Sequence, residues 1–134
     1  MKYLVIISCA SLLLTSCAKP PPTDKNGDLP KDVFDKFLQA VTDDDIELAK
    51  SFWDDEPNRA NGGGRGKFSD VFAWWKQFDE VKVVGSYEGK TTTYGRTYYH
   101  VVTECYVGET KKHWPHPALY LLNDEWKLHR NIWW

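Results

Sequence analysis

The chain has 134 residues, a net charge of −2, 42% hydrophobic content and 15% aromatic content. That length allows one domain of ordinary size and little more. The slight acidic surplus gives no basic footprint for nucleic acid, so nucleic acid is excluded as the expected partner.

The first element is a leader. Lys2 supplies one charge, and Leu4 to Leu14 is an apolar stretch broken only by small residues. It is too short for the ~20 helical residues that span a bilayer, and has the shape of a signal peptide. It ends in LLLTSCAKPPP, residues 12–22, whose three prolines would stop any helix. Leu14-Thr15-Ser16-Cys17 resembles the bacterial lipobox, an apolar residue and two small ones before a cysteine. The resemblance implies cleavage before Cys17 and acylation of its thiol and new amine, palmitate included. Ala18 stands where an Asp would favour the inner membrane, so it implies an outer-membrane anchor facing the periplasm. Two or more acyl chains hold a protein stably where one does not.

The cysteine count follows. Cys9 leaves with the leader, Cys17 carries lipid, and Cys105 is expected as a buried thiol without a disulfide. The 17 Lys+Arg less Lys2, against 19 Asp+Glu, leave the mature chain at −3. The expected organisation is a signal peptide over 1–16, lipidated Cys17 with a flexible tether over 17–29, and a domain over 30–134. Residues 18–29, AKPPPTDKNGDL, read as a proline-stiffened spacer reaching roughly 35–40 Å.

The domain holds all seven Trp and all six Phe, enough aromatic surface to build a core in a small chain. A first helix is predicted after Asp28 and Pro30, with Val33, Phe34, Phe37, Leu38 and Val41 on one stripe. A second is predicted after Asp43-Asp44-Asp45, with Asp44 and Glu47 at capping-box spacing. These aspartates lack the Gly and distal Glu of a calcium loop. Residues 54–67, DDEPNRANGGGRGK, read as a polar loop. Gly66-Lys67 is followed by Phe68 rather than Ser or Thr, which excludes a P-loop. A third helix is predicted with Ser69 as cap and Val71, Phe72, Trp75 and Phe78 on one face.

From Val81 the period changes to two. Strands are predicted from Val81 to about Glu88, Tyr98 to Val107, Pro117 to Leu122, and Trp126 to Trp133, with a turn at Asn123-Asp124-Glu125. Trp126, Leu128 and Ile132 are expected to close the core against the first helix. Val101, Cys105 and Val107 mark the expected core face of the long strand. Helices first and strands after predict an α+β domain of about three N-terminal helices on a curved antiparallel sheet of four or more strands.

That order, with the closing LNDEWKLHRNIWW, resembles the NTF2-like (cystatin-like cone) superfamily over residues 30–134. The resemblance implies a sheet bent around the helices and a cone-shaped pocket. Some such proteins are isomerases, dehydratases or cyclases and many only bind, so fold does not fix function. The long glycine loop departs from the family's short strands. The candidate ligand-binding residues are Tyr98, His100, Glu104 and Tyr106, on one face of the long strand, with Arg130 reaching from the last. Four residues along a strand separate His100 from Glu104 by about 13 Å, too far for a direct bond. A solvent-facing polar row explains the same pattern. His113-Trp-Pro-His116 lacks a third nearby ligand, so no metal or cofactor is expected. The expected partners are the membrane, through lipid, and a protein or small apolar ligand. Three functions fit: a non-catalytic binding lipoprotein, a tethered interaction or immunity protein of a secretion or toxin system, and a small lyase or isomerase. The non-catalytic reading leads.

Overall fold

The computed structural model describes residues 20–54, 67–84, 90–93, 96–112 and 116–129. The lipobox, the glycine-rich loop, His113, Arg130, Ile132 and the terminal Trp pair lie outside these residues.

The segment expected as the end of a flexible tether is folded. The Asp24 carboxylate accepts the Asn26 and Asp28 N–H groups at 2.8 and 3.0 Å, and Gly27 takes a φ of +82°. This turn is tied to the far end of the chain: Lys25 N–H donates to the Asp124 carbonyl, and Trp126 Nε1 donates to the Asp28 carbonyl at 3.0 Å. Any spacer therefore ends before Asp24.

Helix α1, Pro30–Thr42, starts with proline where its missing N–H costs nothing. Its cap differs from the expected Asp28. The Asp32 carboxylate reaches back to the Leu29 N–H at 2.9 Å, satisfying one of the otherwise orphaned donors. Val33, Phe34, Phe37, Ala40 and Val41 are buried, the expected stripe with Leu38 at its edge. The helix closes with Asp44 at a φ of +59°, Asp45 N–H on the Ala40 carbonyl and Asp44 N–H on the Val41 carbonyl. Asp44 therefore terminates α1, and its carboxylate meets Lys76 at 2.5 Å. The cap of α2, Ile46–Ser51, falls instead to Asp45, which accepts the Leu48 N–H at 3.0 Å. Helix α3, Phe68–Lys76, begins after Lys67 rather than at Ser69, and buries Val71, Phe72 and Trp75.

Seven strands follow among the described residues: β1 (Glu80–Val83), β2 (Lys90–Thr93), β3 (Arg96–His100), β4 (Thr103–Val107), β5 (Thr110–Lys112), β6 (Ala118–Leu122) and β7 (Glu125–Leu128). They form two antiparallel sheets, ordered β1-β4-β5 and β2-β3-β6-β7. The single long strand expected over 98–107 is thus divided. Val101 N–H still reaches the Pro117 carbonyl on one side, while the Val102 carbonyl already receives the Val84 N–H on the other. The chain leaves one sheet and enters the next within two residues. His116 fastens this crossing, its Nδ1 accepting the Thr103 N–H at 3.1 Å. The fold is α+β, with three helices and two antiparallel sheets among the described residues.

The β6–β7 hairpin pairs Leu122 with Glu125 across Asn123 and Asp124, both at positive φ. Such a two-residue turn matches the natural strand twist and fixes the register. It sends Trp126 and Leu128 to the same face, 2% and 0% exposed, into one core with Phe34, Phe37 and Val41. Rings interlock there: Phe34 meets Trp75 edge-on at 5.1 Å, and Tyr99 meets Trp126 at 5.4 Å. Val101 and Cys105 face the same core, as their alternation predicts, while Val107 is exposed. No helix among the described residues is long and apolar enough to cross a membrane.

Candidate functional site

The residues singled out on the 98–107 stretch separate at the crossing. Glu104 and Tyr106 lie on β4 and face away from the core. The Tyr106 hydroxyl donates to Glu104 at 2.6 Å, and Lys111 joins the same carboxylate at 3.0 Å. Lys82 sits 5.1 Å from the Tyr106 ring centre. The hydrogen bond from Tyr106, with help from Lys111, holds the Glu104 carboxyl below the usual range, and Glu104 in turn raises the Tyr106 phenol. These groups satisfy one another at the surface, as a solvent-facing polar row does.

Tyr98 and His100 lie on β3, on the face of the larger sheet opposite the helices. Antiparallel pairing sets Tyr99 against Leu119, which places Tyr98 across from Tyr120. Their rings meet edge-on at 5.5 Å, and both tyrosines are buried. His129, just beyond β7, stacks on Tyr98 at 4.5 Å with an 18° tilt. Its own N–H on the Ala118 carbonyl holds it in place. The Arg96 guanidinium lies 5.2 Å over Tyr120. The fourth partner comes from the helical layer. After α2 the chain runs beside β7, with Leu128 N–H on the Phe52 carbonyl and a parallel bridge between Trp53 and Leu128. That path delivers Asp54, 6% exposed, to the Tyr120 hydroxyl, which donates to its carboxylate.

The second face of the sheet therefore buries a connected polar group: Asp54, Tyr120, His129 and Tyr98, flanked by Arg96. The His129 imidazole is pushed down to about 4, chiefly by burial and further by Arg96 and His100, against the opposing pull of Asp54. It is neutral at pH 7. Beside the group opens a cleft of about 240 Å³, lined by Pro22, Arg96, Tyr99, Tyr120, Leu121 and Trp126 among others. A guanidinium and several aromatic walls suit it to recognition. A base that accepts a proton only near pH 4 is poorly matched to proton abstraction at neutral pH.

Sequence reasoning found Tyr98 and His100 here and missed Asp54, Arg96, Tyr120 and His129. The even–odd pattern of β6 carries a signal for Tyr120, since Leu119 takes the core face. Nothing in the sequence places Asp54, which reads as the start of a polar loop. Among the described residues no group of three His, Cys, Asp or Glu is placed to hold a metal ion.

On the helix side, Cys105 is 1% exposed, and burial pushes its thiol up. Only the thiolate is an effective nucleophile. Native protein is therefore expected to react with a thiol reagent at pH 8 far more slowly than urea-unfolded protein. Equal rates measured for the two states would show that Cys105 is accessible. No protein-family model matches the chain, and neither does any curated protein or solved structure.

Proposed function

We propose that this protein is a cell-envelope lipoprotein, anchored through Cys17 at the outer membrane and facing the periplasm. Its NTF2-like domain binds a small ligand or a protein partner without turning it over. Helices that precede antiparallel strands, and a strand that bends from one sheet into the next, support the NTF2-like cone. One observation carries the non-catalytic reading: the helix-facing interior is filled by Phe34, Phe37, Trp75, Leu119, Trp126 and Leu128. Among the described residues of that apolar cluster, only the Cys105 thiol is titratable. An isomerase or lyase needs a base poised near neutral pH beside open space. An interior so filled among the described residues favours recognition at the surface, which also suits a tethered interaction or immunity protein.

The test joins anchoring to binding. Cells expressing the full chain, with a photo-crosslinking residue in place of Leu121 at the aromatic cleft, are labelled with radioactive palmitate. The protein is expected to carry label, sediment with membranes and give a discrete crosslinked product. Cys17→Ala is expected to lose the label and leave the membrane fraction. Label persisting in that variant sinks the anchor. Crosslinking that stays as diffuse as from Lys50, on the far side of α2, sinks surface recognition at this cleft.

A further inference from the structure

The chain ahead of α1 is held to the domain over most of its described length. Pro21 is buried, Pro22 lines the aromatic cleft, and the Asp24 turn follows directly. The Lys25 N–H donates to the Asp124 carbonyl, the Lys25 ammonium meets Glu125 at 2.5 Å, and Trp126 Nε1 donates to the Asp28 carbonyl. Residues 21–28 are thus a strap fixed to the last hairpin and the sheet, and they add nothing to the reach of a spacer.

Chain length then limits the anchor. Cys17 stands five positions before Pro22. A fully extended chain covers at most ~3.3–3.6 Å per residue, so Cys17 lies within roughly 18 Å of the cleft at Pro22. That is about half the reach of a free spacer over 18–29, roughly 35–40 Å. Helix α1 starts beside the strap at Pro30 and ends at Thr42, roughly 18 Å along its axis. An anchor at Cys17 therefore holds the cleft close to the bilayer and leaves the Thr42 end farther off.

The cleft has the composition of a surface at home in that interface. Leu121 shares the parity of core residue Leu119 and pairs with Trp126, yet it is 36% exposed. Tyr99, Tyr120 and Trp126 join it in the cleft wall, and Arg96 adds a guanidinium. Tyr and Trp concentrate at membrane–water interfaces, and Arg matches phosphate. The neighbouring acids are paired: Lys25 and Lys127 meet Glu125 at 2.5 and 3.2 Å, and Lys36 meets Asp28 at 2.5 Å. These carboxylates are neutralised where lipid phosphates would otherwise repel them.

We propose that the phospholipid surface of the anchoring leaflet covers this cleft, with headgroup phosphate at Arg96 and the first methylenes against Leu121 and Tyr99. This rests on the Cys17 anchor and deepens the binding reading above: the small ligand at the cleft is a lipid of the membrane that holds the protein. The domain lies against the bilayer by this face instead of standing off it.

The experiment uses the full acylated chain in vesicles of phosphatidylethanolamine and phosphatidylglycerol, with one nitroxide attached at Leu121→Cys or at Thr42→Cys. Both positions are exposed, so the label leaves the fold intact, and Cys105 is too buried to compete for it. Flotation of the vesicles reports the anchor, and electron paramagnetic resonance reports where the label sits. Oxygen dissolves in the bilayer, whereas a nickel chelate stays in water. The label at position 121 is expected to be relaxed mainly by oxygen, and the label at position 42 mainly by the chelate. Arg96→Glu sets a carboxylate against the phosphates and is expected to return the label at 121 towards the chelate. Protein that floats with both labels relaxed mainly by the chelate overturns the lipid-covered cleft and leaves the anchor standing. So does a label at 42 as exposed to oxygen as the label at 121. A label at 121 that Arg96→Glu leaves unmoved overturns the phosphate contact. Protein that does not float removes the anchor, and the lipid contact falls with it.

Discussion

Trp126→Ala is expected to lose about 3–5 kcal/mol, the usual range for truncating a large buried aromatic. That is a large part of the ~5–15 kcal/mol by which a domain of this size is stable. Each lost kcal/mol lowers the melting temperature by roughly 4–8 °C in a small domain, so the variant is expected to be largely unfolded at 37 °C. Two contributions combine. The ring is 2% exposed and packs on Tyr99 at 5.4 Å, in the core that also holds Phe34 and Phe37. Its Nε1 also binds the Asp28 carbonyl, which ties the 24–28 turn onto the last hairpin. Trp126→Phe separates the two. It keeps much of the packing and loses the bond, and is expected to cost about 1–2 kcal/mol. His100→Ala, by contrast, is expected to change stability little, because His100 is only half-buried on the opposite face. Thermal melts of the three variants check this. A neutral Trp126→Ala beside an unfolded His100→Ala would mean that the sheet faces are reversed.

The helices were legible because burial imposes a period on sequence, whereas the strands were legible only in part: Val107 shares the parity of Val101 and Cys105 and is exposed, and β2 and β5 were not expected. Phe34, Phe37 and Val41 recur at helical spacing, and Val101 and Cys105 share one parity along the strand, which argued for that side as the core without deciding it. Caps were less legible. Three aspartates stand in a row at 43–45, each able to cap, and the choice depends on which one takes positive φ. Asp44 does, which makes it the end of α1 and moves the cap of α2 to Asp45. The crossing at Val101–Val102 was hidden for another reason. Tyr98 to Val107 keeps an unbroken alternation, because the chain stays extended while its hydrogen-bond partners change from β6 to β1. Pairing partners are a tertiary choice, and period-2 patterning says nothing about them.

The candidate site was half-legible for the same reason. Tyr98 and His100 announce themselves as polar aromatic residues on the non-core face. Asp54 reaches that face only because Phe52 and Trp53 run along β7, and His129 only because its N–H pairs with Ala118. Glu104 and Tyr106 looked like partners of Tyr98 along one strand. They belong to the other sheet, where Lys82 and Lys111 attend them.

His129 is expected to make the folded state sensitive to mild acid. Its imidazole, ordinarily titrating near 6.5, is held at about 4 in the fold. Burial is the main cause, and the groups facing it are Asp54, which favours the proton, Arg96 and His100, which oppose it, and the Tyr98 and Tyr120 rings. Between pH 6.5 and 4 the unfolded chain therefore binds a proton that the folded chain refuses. Stability from this group is fully present above pH 6.5 and is lost as pH falls towards 4. The shift alone corresponds to about 3 kcal/mol, and partial contact with solvent reduces that to roughly 1–2 kcal/mol. Carboxylates also titrate in acid, so the informative quantity is the difference between wild type and a variant that cannot charge. Urea midpoints measured from pH 7.5 to 4 are expected to fall more steeply for wild type than for His129→Gln. The two curves should converge as the pH drops, even if the variant starts lower at pH 7.5 for loss of stacking on Tyr98. Parallel curves across that window would mean that His129 titrates normally in the fold, and that the Asp54–Tyr120–His129 group is open to water rather than closed around a neutral imidazole.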